Sequence, residues 1–234
     1  MVIETNFSPN FSKKIRGKSD IKHVIIHYTG MQSEIESIKR LKSPKSKVSC
    51  HYLINREGTV IQMVKDKNLA WHAGKSKWKQ FTNLNYSSIG IELVNKGHKF
   101  GYEKFTIKQI KSLIFLCKKL KKKYGIKNEN FLGHSDIAPL RKIDPGEKFP
   151  WKKLSRFEIG MWYKSQKKFT FKKNVRNIFF KNLSKIGYRY FTISLEKKTD
   201  KFIIKSFQRR YLPEKVSGKI DQKTLNISHF LASK

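Results

Sequence analysis

GHSDIAPLRKIDPGEKFPW, residues 133–151, is the stretch that discloses most about this chain. His134 and Asp144 stand ten positions apart, across a Pro-containing loop that ends in Asp-Pro-Gly. Such a loop can fold back so that an imidazole and a carboxylate meet at one point. A third donor stands at the end of the β-branched run IKHVIIHYT (21–29), where His27 closes VIIH. Two histidines and one carboxylate with an open fourth position form the donor set of a hydrolytic zinc site. Spacing alone leaves the plain alternative standing: a lone histidine ending a strand is commonly structural, and Asp-Pro-Gly can be only a turn.

Outward from these residues the chain alternates strand and helix signals. The runs 21–29, 51–55, 59–64 and 88–95 are short and apolar enough for strands, and Arg56-Glu57-Gly58 reads as a hairpin turn between the second and third. Ile35, Ile38 and Leu41 mark a short helix over 33–42. A longer helix is predicted over 107–124, with Thr106 as N-cap, Gln109 completing a capping box and Gly125 as C′. NFLGH (130–134) reads as a last short strand. The expectation is an α/β domain with a mixed central β-sheet flanked by helices, over residues 21–164, preceded by an irregular segment (1–20). A polar linker (165–174) then leads to a small all-α C-terminal domain (175–234) with amphipathic patterns near 175–187, 200–211 and 221–232.

Composition narrows the function classes. With 234 residues, 38% hydrophobic and 17 Phe, the chain can bury a real core. The net charge of +35 invites a nucleic-acid reading, but residues 166–234 carry 18 Lys and Arg against 4 Asp and Glu while the rest carries 34 against 13. The charge is spread rather than gathered in a stripe, and 43 Lys outnumber 9 Arg, the residue suited to bidentate base and phosphate recognition. No nucleic-acid partner is therefore expected. Cys50 and Cys117 lack metal-ligand spacing, and Cys117 falls on the apolar face of a helix. The first 18 residues lack an apolar signal-peptide core and no run reaches membrane-spanning length, so a cytoplasmic monomer is the expectation, with the periplasm or cell envelope the alternative.

IKHVIIHYTG, VSCHYLINREGTVIQMV, NLAWHAG, SSIGIELVN and GHSDIAPLRKIDPGEKFPW follow one another in an order that resembles the type-2 N-acetylmuramoyl-L-alanine amidases. That family includes bacterial amidases acting on anhydromuropeptides and shares its fold with animal peptidoglycan recognition proteins. The resemblance covers residues 20–152. It implies that His27, His134 and Asp144 hold Zn2+, that Glu92 is the catalytic acid–base and that Lys142 stands beside the metal. The substrate is then peptidoglycan or muropeptides, cut between (anhydro-)N-acetylmuramic acid and L-alanine. His72, in the Trp-His-Ala-Gly loop, and Arg141 become candidate substrate contacts, with His51 a weaker one. Leu140 and Glu147 depart from the usual glycine and proline at their positions. Residues 202–227 resemble the helical peptidoglycan-binding domain often fused to such amidases, implying a wall-localising module separable from catalysis near Lys164. The alternative class is a non-catalytic peptidoglycan-recognition module, which loss of a metal ligand would favour.

Overall fold

The computed structural model describes residues 2–164, 170 and 173–234. Most of the segment expected to be a linker, 165–174, lies outside the described residues. In chain order the strands and helices are β1 (Ile3–Thr5), β2 (Phe11–Ser12), β3 (His23–Tyr28), α1 (Glu34–Lys42), β4 (Tyr52–Ile54), β5 (Val60–Gln62), β6 (Leu69–Ala70), β7 (Lys77–Trp78), β8 (Phe81–Thr82), β9 (Ser88–Leu93), α2 (Ile107–Tyr124), β10 (Phe131–Gly133), α3 (His134–Ile137), α4 (Trp151–Ser155), α5 (Val175–Ile186), α6 (Asp200–Tyr211) and α7 (Gln222–Ala232).

The main sheet is mixed, in the order β1-β5-β4-β9-β3-β10, with β4 and β5 antiparallel and the other pairs parallel. The hairpin forms as its residues dictate: Gly58 at φ 88° closes onto Asn55, whose side chain accepts from Thr59 N. Helix α2 is capped at Thr106 and Gln109 and ends at Gly125 in the left-handed conformation, as expected. The N-terminal segment departs from the expectation. Residues 1–20 are not irregular throughout, because β1 pairs with β5 at the sheet edge and β2 with β6. Runs of two or three residues are too short to carry an alternation from which a strand can be read.

Strand alternation then assigns the faces. Val24, Ile26, Ile89, Ile91 and Leu93 pack with Leu113, Leu116 and Leu120 of α2 in one buried layer. The opposite face carries Ile25 and His27 of β3 and Gly90 and Glu92 of β9. Part of that face is covered by the C-terminal helices: Ile25, Trp78, Leu132 and Ile137 share a core with Phe179, Phe207 and Leu225. The three helices expected near 175–187, 200–211 and 221–232 are present, and they are packed onto the sheet rather than held apart from it. Another part is covered by α1, through Leu41 against Leu53 and Val94. Between these two coverings a cleft remains open at the C-terminal end of β3.

Candidate active site

The cleft has a volume of about 280 Å³ and is lined by His27, His72, Glu92, His134, Lys142 and Asp144 among others. His27 ends β3 and stands in register with Glu92 on the adjacent parallel strand. His134 is the first residue after β10, the neighbour of β3 on its other side. Asp144 is brought back by the loop 138–143, which closes when Ser135 N donates to Asp144 O at 2.9 Å. Gly133 permits that return, since a Cβ there would lie 2.7 Å from Pro145 Cδ.

The result is a triangle of donors. His27 Nδ1 lies 3.0 Å from His134 Nδ1 and 3.0 Å from Asp144 Oδ2, and His134 Nδ1 lies 3.1 Å from Asp144 Oδ2. A tetrahedral ion with bonds of about 2.1 Å wants its donors about 3.4 Å apart, so the three need only a few tenths of an ångström of adjustment. All three are buried, and they are the group of histidines and carboxylates among the described residues that can hold a metal ion.

Hydrogen-bond partners fix which nitrogens are bare. His134 Nε2 faces the Ala73 carbonyl at 3.2 Å and must donate to it, leaving Nδ1 without a hydrogen. The Ser88 hydroxyl gives its only hydrogen to Leu84 O at 2.5 Å, so its oxygen accepts from His72 Nε2 at 3.3 Å. His72 Nδ1 is then bare and accepts from His27 Nε2 at 3.1 Å, which turns the lone pair of His27 Nδ1 into the triangle. Two lone pairs and a carboxylate facing one another at 3 Å repel unless a cation sits among them, so the donor set fits a metal. Burial lowers His27 to about 4 and holds His72 well below the usual histidine range, keeping both imidazoles neutral as ligation requires.

Gly90 makes room for this arrangement, because a Cβ there would lie 2.4 Å from the His72 ring. A glycine inside a strand is the sequence mark of such a close approach.

Glu92 is not on an open solvent face. Ile91 and Leu93 are fully buried on the α2 side, and Glu92 sits on the cleft side with Oε2 buried and unpartnered among the described residues. Burial, with Asp144 adding like charge, pushes its carboxyl up to about 8, against the pull of Lys142 and Arg40. Lys142 lines the same cleft, and its ammonium forms no ion pair with a described residue. Arg141 also lines it but spends Nε and Nη2 on the carbonyls of Lys75 and Ala73.

His51 stays outside the cleft. Its Nδ1 accepts from Gly90 N and its Nε2 meets Asn68 O and Arg16, so it ties β4, β9 and the N-terminal segment together instead of facing substrate. Leu140 is exposed and not part of the cleft wall, whereas Glu147 binds His98 at 3.1 Å and faces Arg209 at 3.8 Å. Arg40 of α1 lines the cleft and was not singled out by sequence, since an arginine in an amphipathic helix is ordinarily solvated.

The profile of the N-acetylmuramoyl-L-alanine amidase family matches residues 17–147. The Escherichia coli amidase AmiD is 34% identical over 233 residues, covering 92% of this chain and 83% of the relative. The 1,6-anhydro-N-acetylmuramyl-L-alanine amidase AmpD of Haemophilus influenzae is 34% identical over 164 residues, covering 62% of this chain and 86% of its own. Among solved structures, AmiD in complex with anhydro-N-acetylmuramic acid-L-Ala-D-γ-Glu-L-Lys superposes with a TM-score of 0.81 at 31% identity, covering 95% of this chain and 91% of that one. The similarity thus extends through the C-terminal helices.

Proposed function

Since the chain belongs to the N-acetylmuramoyl-L-alanine amidase family and is a peptidoglycan amidase, we propose that it works with one zinc ion held by His27, His134 and Asp144 and that its substrates are muropeptides. The observation that carries the metal reading is the buried triangle of two bare imidazole nitrogens and a carboxylate. Zinc, when bound, acidifies a water and polarises the scissile carbonyl.

The chain's own residues supply the rest. Glu92, which lines the cleft with Oε2 unpartnered among the described residues, takes the attacking water's proton and returns it to the departing alanine amine. Lys142, on the cleft wall, places a positive charge where the carbonyl oxygen becomes anionic. Arg40, which lines the cleft, suits a carboxylate of the stem peptide. Arg141 contributes through the loop it holds, whose Ala73 carbonyl orients His134.

Purified protein incubated with a soluble anhydromuropeptide should release the free stem peptide, detected by mass spectrometry. A chelator should stop the release and added zinc restore it. Turnover that survives complete metal removal would sink the zinc reading.

His72 orients a ligand through its second ring nitrogen, and loss of such a partner typically costs about 10- to 100-fold in metal affinity. His72→Ala is therefore expected to weaken zinc binding by about that factor in a chelator competition. Unchanged affinity would make His72 only a wall of the cleft.

The C-terminal helices carry no donor of the metal triangle, and their likeness to a wall-binding module supports a role in retaining the enzyme on peptidoglycan. Among the described residues no helix is long and apolar enough to cross a membrane.

A further inference from the structure

We propose that the C-terminal helical module also positions the metal centre, acting through the turn that carries His134; this rests on the zinc reading above. The residues around His134 are tied to the module by side chains. Ser206 of α6 donates to Ser135 O at 2.7 Å, and Ser135 N holds Asp144 O at 2.9 Å. One residue thus joins the module to two members of the donor triangle. Asp136 accepts from Tyr188 at 2.6 Å and from Arg210, and its Oδ2 caps the turn by accepting from Gly133 N at 2.8 Å. Arg210 also donates to Phe131 O at 2.9 Å, on the strand leading into His134. Four ties from three side chains therefore surround a single buried imidazole.

The type of interaction argues for orientation over bulk stability. Arg210 and Asp136 are 3% and 1% exposed, and the guanidinium stacks 4.0 Å over Trp151. A buried ion pair of this kind often holds a fold no more tightly than apolar residues of the same size, because both charges lose their hydration. What it supplies is one fixed geometry, two residues from a ligand. Partners of this rank set how well metal donors are aimed. The shared core of Trp78, Tyr188 and Phe207 keeps water from competing for these bonds. Detaching the module near Lys164 would remove two of the partners of Asp136.

The test uses the full chain with Tyr188→Phe and Ser206→Ala combined, two changes that each remove one hydroxyl and no bulk. Ser228→Ala, which removes the partner of Asn182 between α5 and α7 and whose hydroxyl bonds Asn182 and Leu225 rather than the turn, serves as the control. Zinc affinity is read by chelator competition, and the cobalt-substituted protein by its visible absorption, with circular dichroism confirming the fold. The double variant is expected to lose about 10-fold or more in zinc affinity, to shift its cobalt bands, and to lose kcat at unchanged KM, while the control keeps all three. A folded double variant with the parent's affinity and cobalt spectrum overturns the proposal, as does a control that loses as much affinity. Failure of the parent chain to bind one zinc would instead overturn the metal reading.

Discussion

Asp144→Asn and His134→Ala are each expected to reduce zinc from about one ion per chain to nearly none and to lower hydrolysis by more than about 10³-fold. The size follows from what is lost. A bound zinc brings the pKa of water from 15.7 to about 7, and without it neither an effective nucleophile nor a polarised carbonyl is available at neutral pH. Asp144→Asn is the sharper variant, because it keeps the shape of a buried side chain and removes the one negative charge of the triangle. The parent protein should gain thermal stability on adding zinc, by about 2.7 kcal/mol at a hundredfold excess over Kd, and the variants should not. Metal analysis and a melting curve with and without zinc read both effects. Full zinc content with full activity in either variant would mean that the triangle is a structural cluster and the metal lies elsewhere.

How far the sequence reveals this centre depends on the range over which a residue acts. Strand β3, the hairpin and helix α2 follow from local rules, since alternation, Gly58 and the Thr106–Gln109 cap act within a few residues. The triangle is legible only in part. Asp144 and His134 share one loop, but His27 lies 107 positions from His134, so its place at the end of a strand makes it only a candidate third donor and leaves a structural histidine equally open. His72 reads as a substrate contact in its loop, because nothing local tells that Gly90, 18 positions on, leaves the room that its ring fills. His51 reads as a weaker candidate substrate contact, yet its bonds go to Gly90 and Asn68, partners that no local pattern indicates. The largest gap was the C-terminal module. Amphipathic helices predict a hydrophobic face but not its partner, so Phe207 packing with Leu132 and Arg210 meeting Asp136 were beyond any periodicity. Strands β1 and β2 escaped because edge pairing of two or three residues is dictated by the partner strand.

Glu92→Gln separates binding from chemistry. The variant keeps the shape and polarity of the side chain and touches none of the three donors, so zinc content is expected to match the parent. A positioned acid–base group contributes about 10²- to 10⁴-fold, and kcat should fall by that factor. The pH dependence carries a definite sign. Burial, with Asp144 nearby, raises Glu92 to about 8 in the metal-free cleft, and a bound cation would bring it back down. A base must be ionised, so the parent's rate should rise with pH through this pKa, with a midpoint below 8 in the zinc enzyme, and the variant's profile should lose that limb. Stability should respond in the opposite sense. The folded metal-free chain retains a proton that the unfolded chain gives up above about 4.5, so raising pH from 4.5 to 8 disfavours folding through this group. Glutamine removes that cost. The melting temperature of Glu92→Gln, relative to the parent without zinc, should therefore be higher at pH 8 than at pH 5. A variant that kept the parent's kcat would make Glu92 a bystander at the base of the cleft and leave the proton transfer to another group.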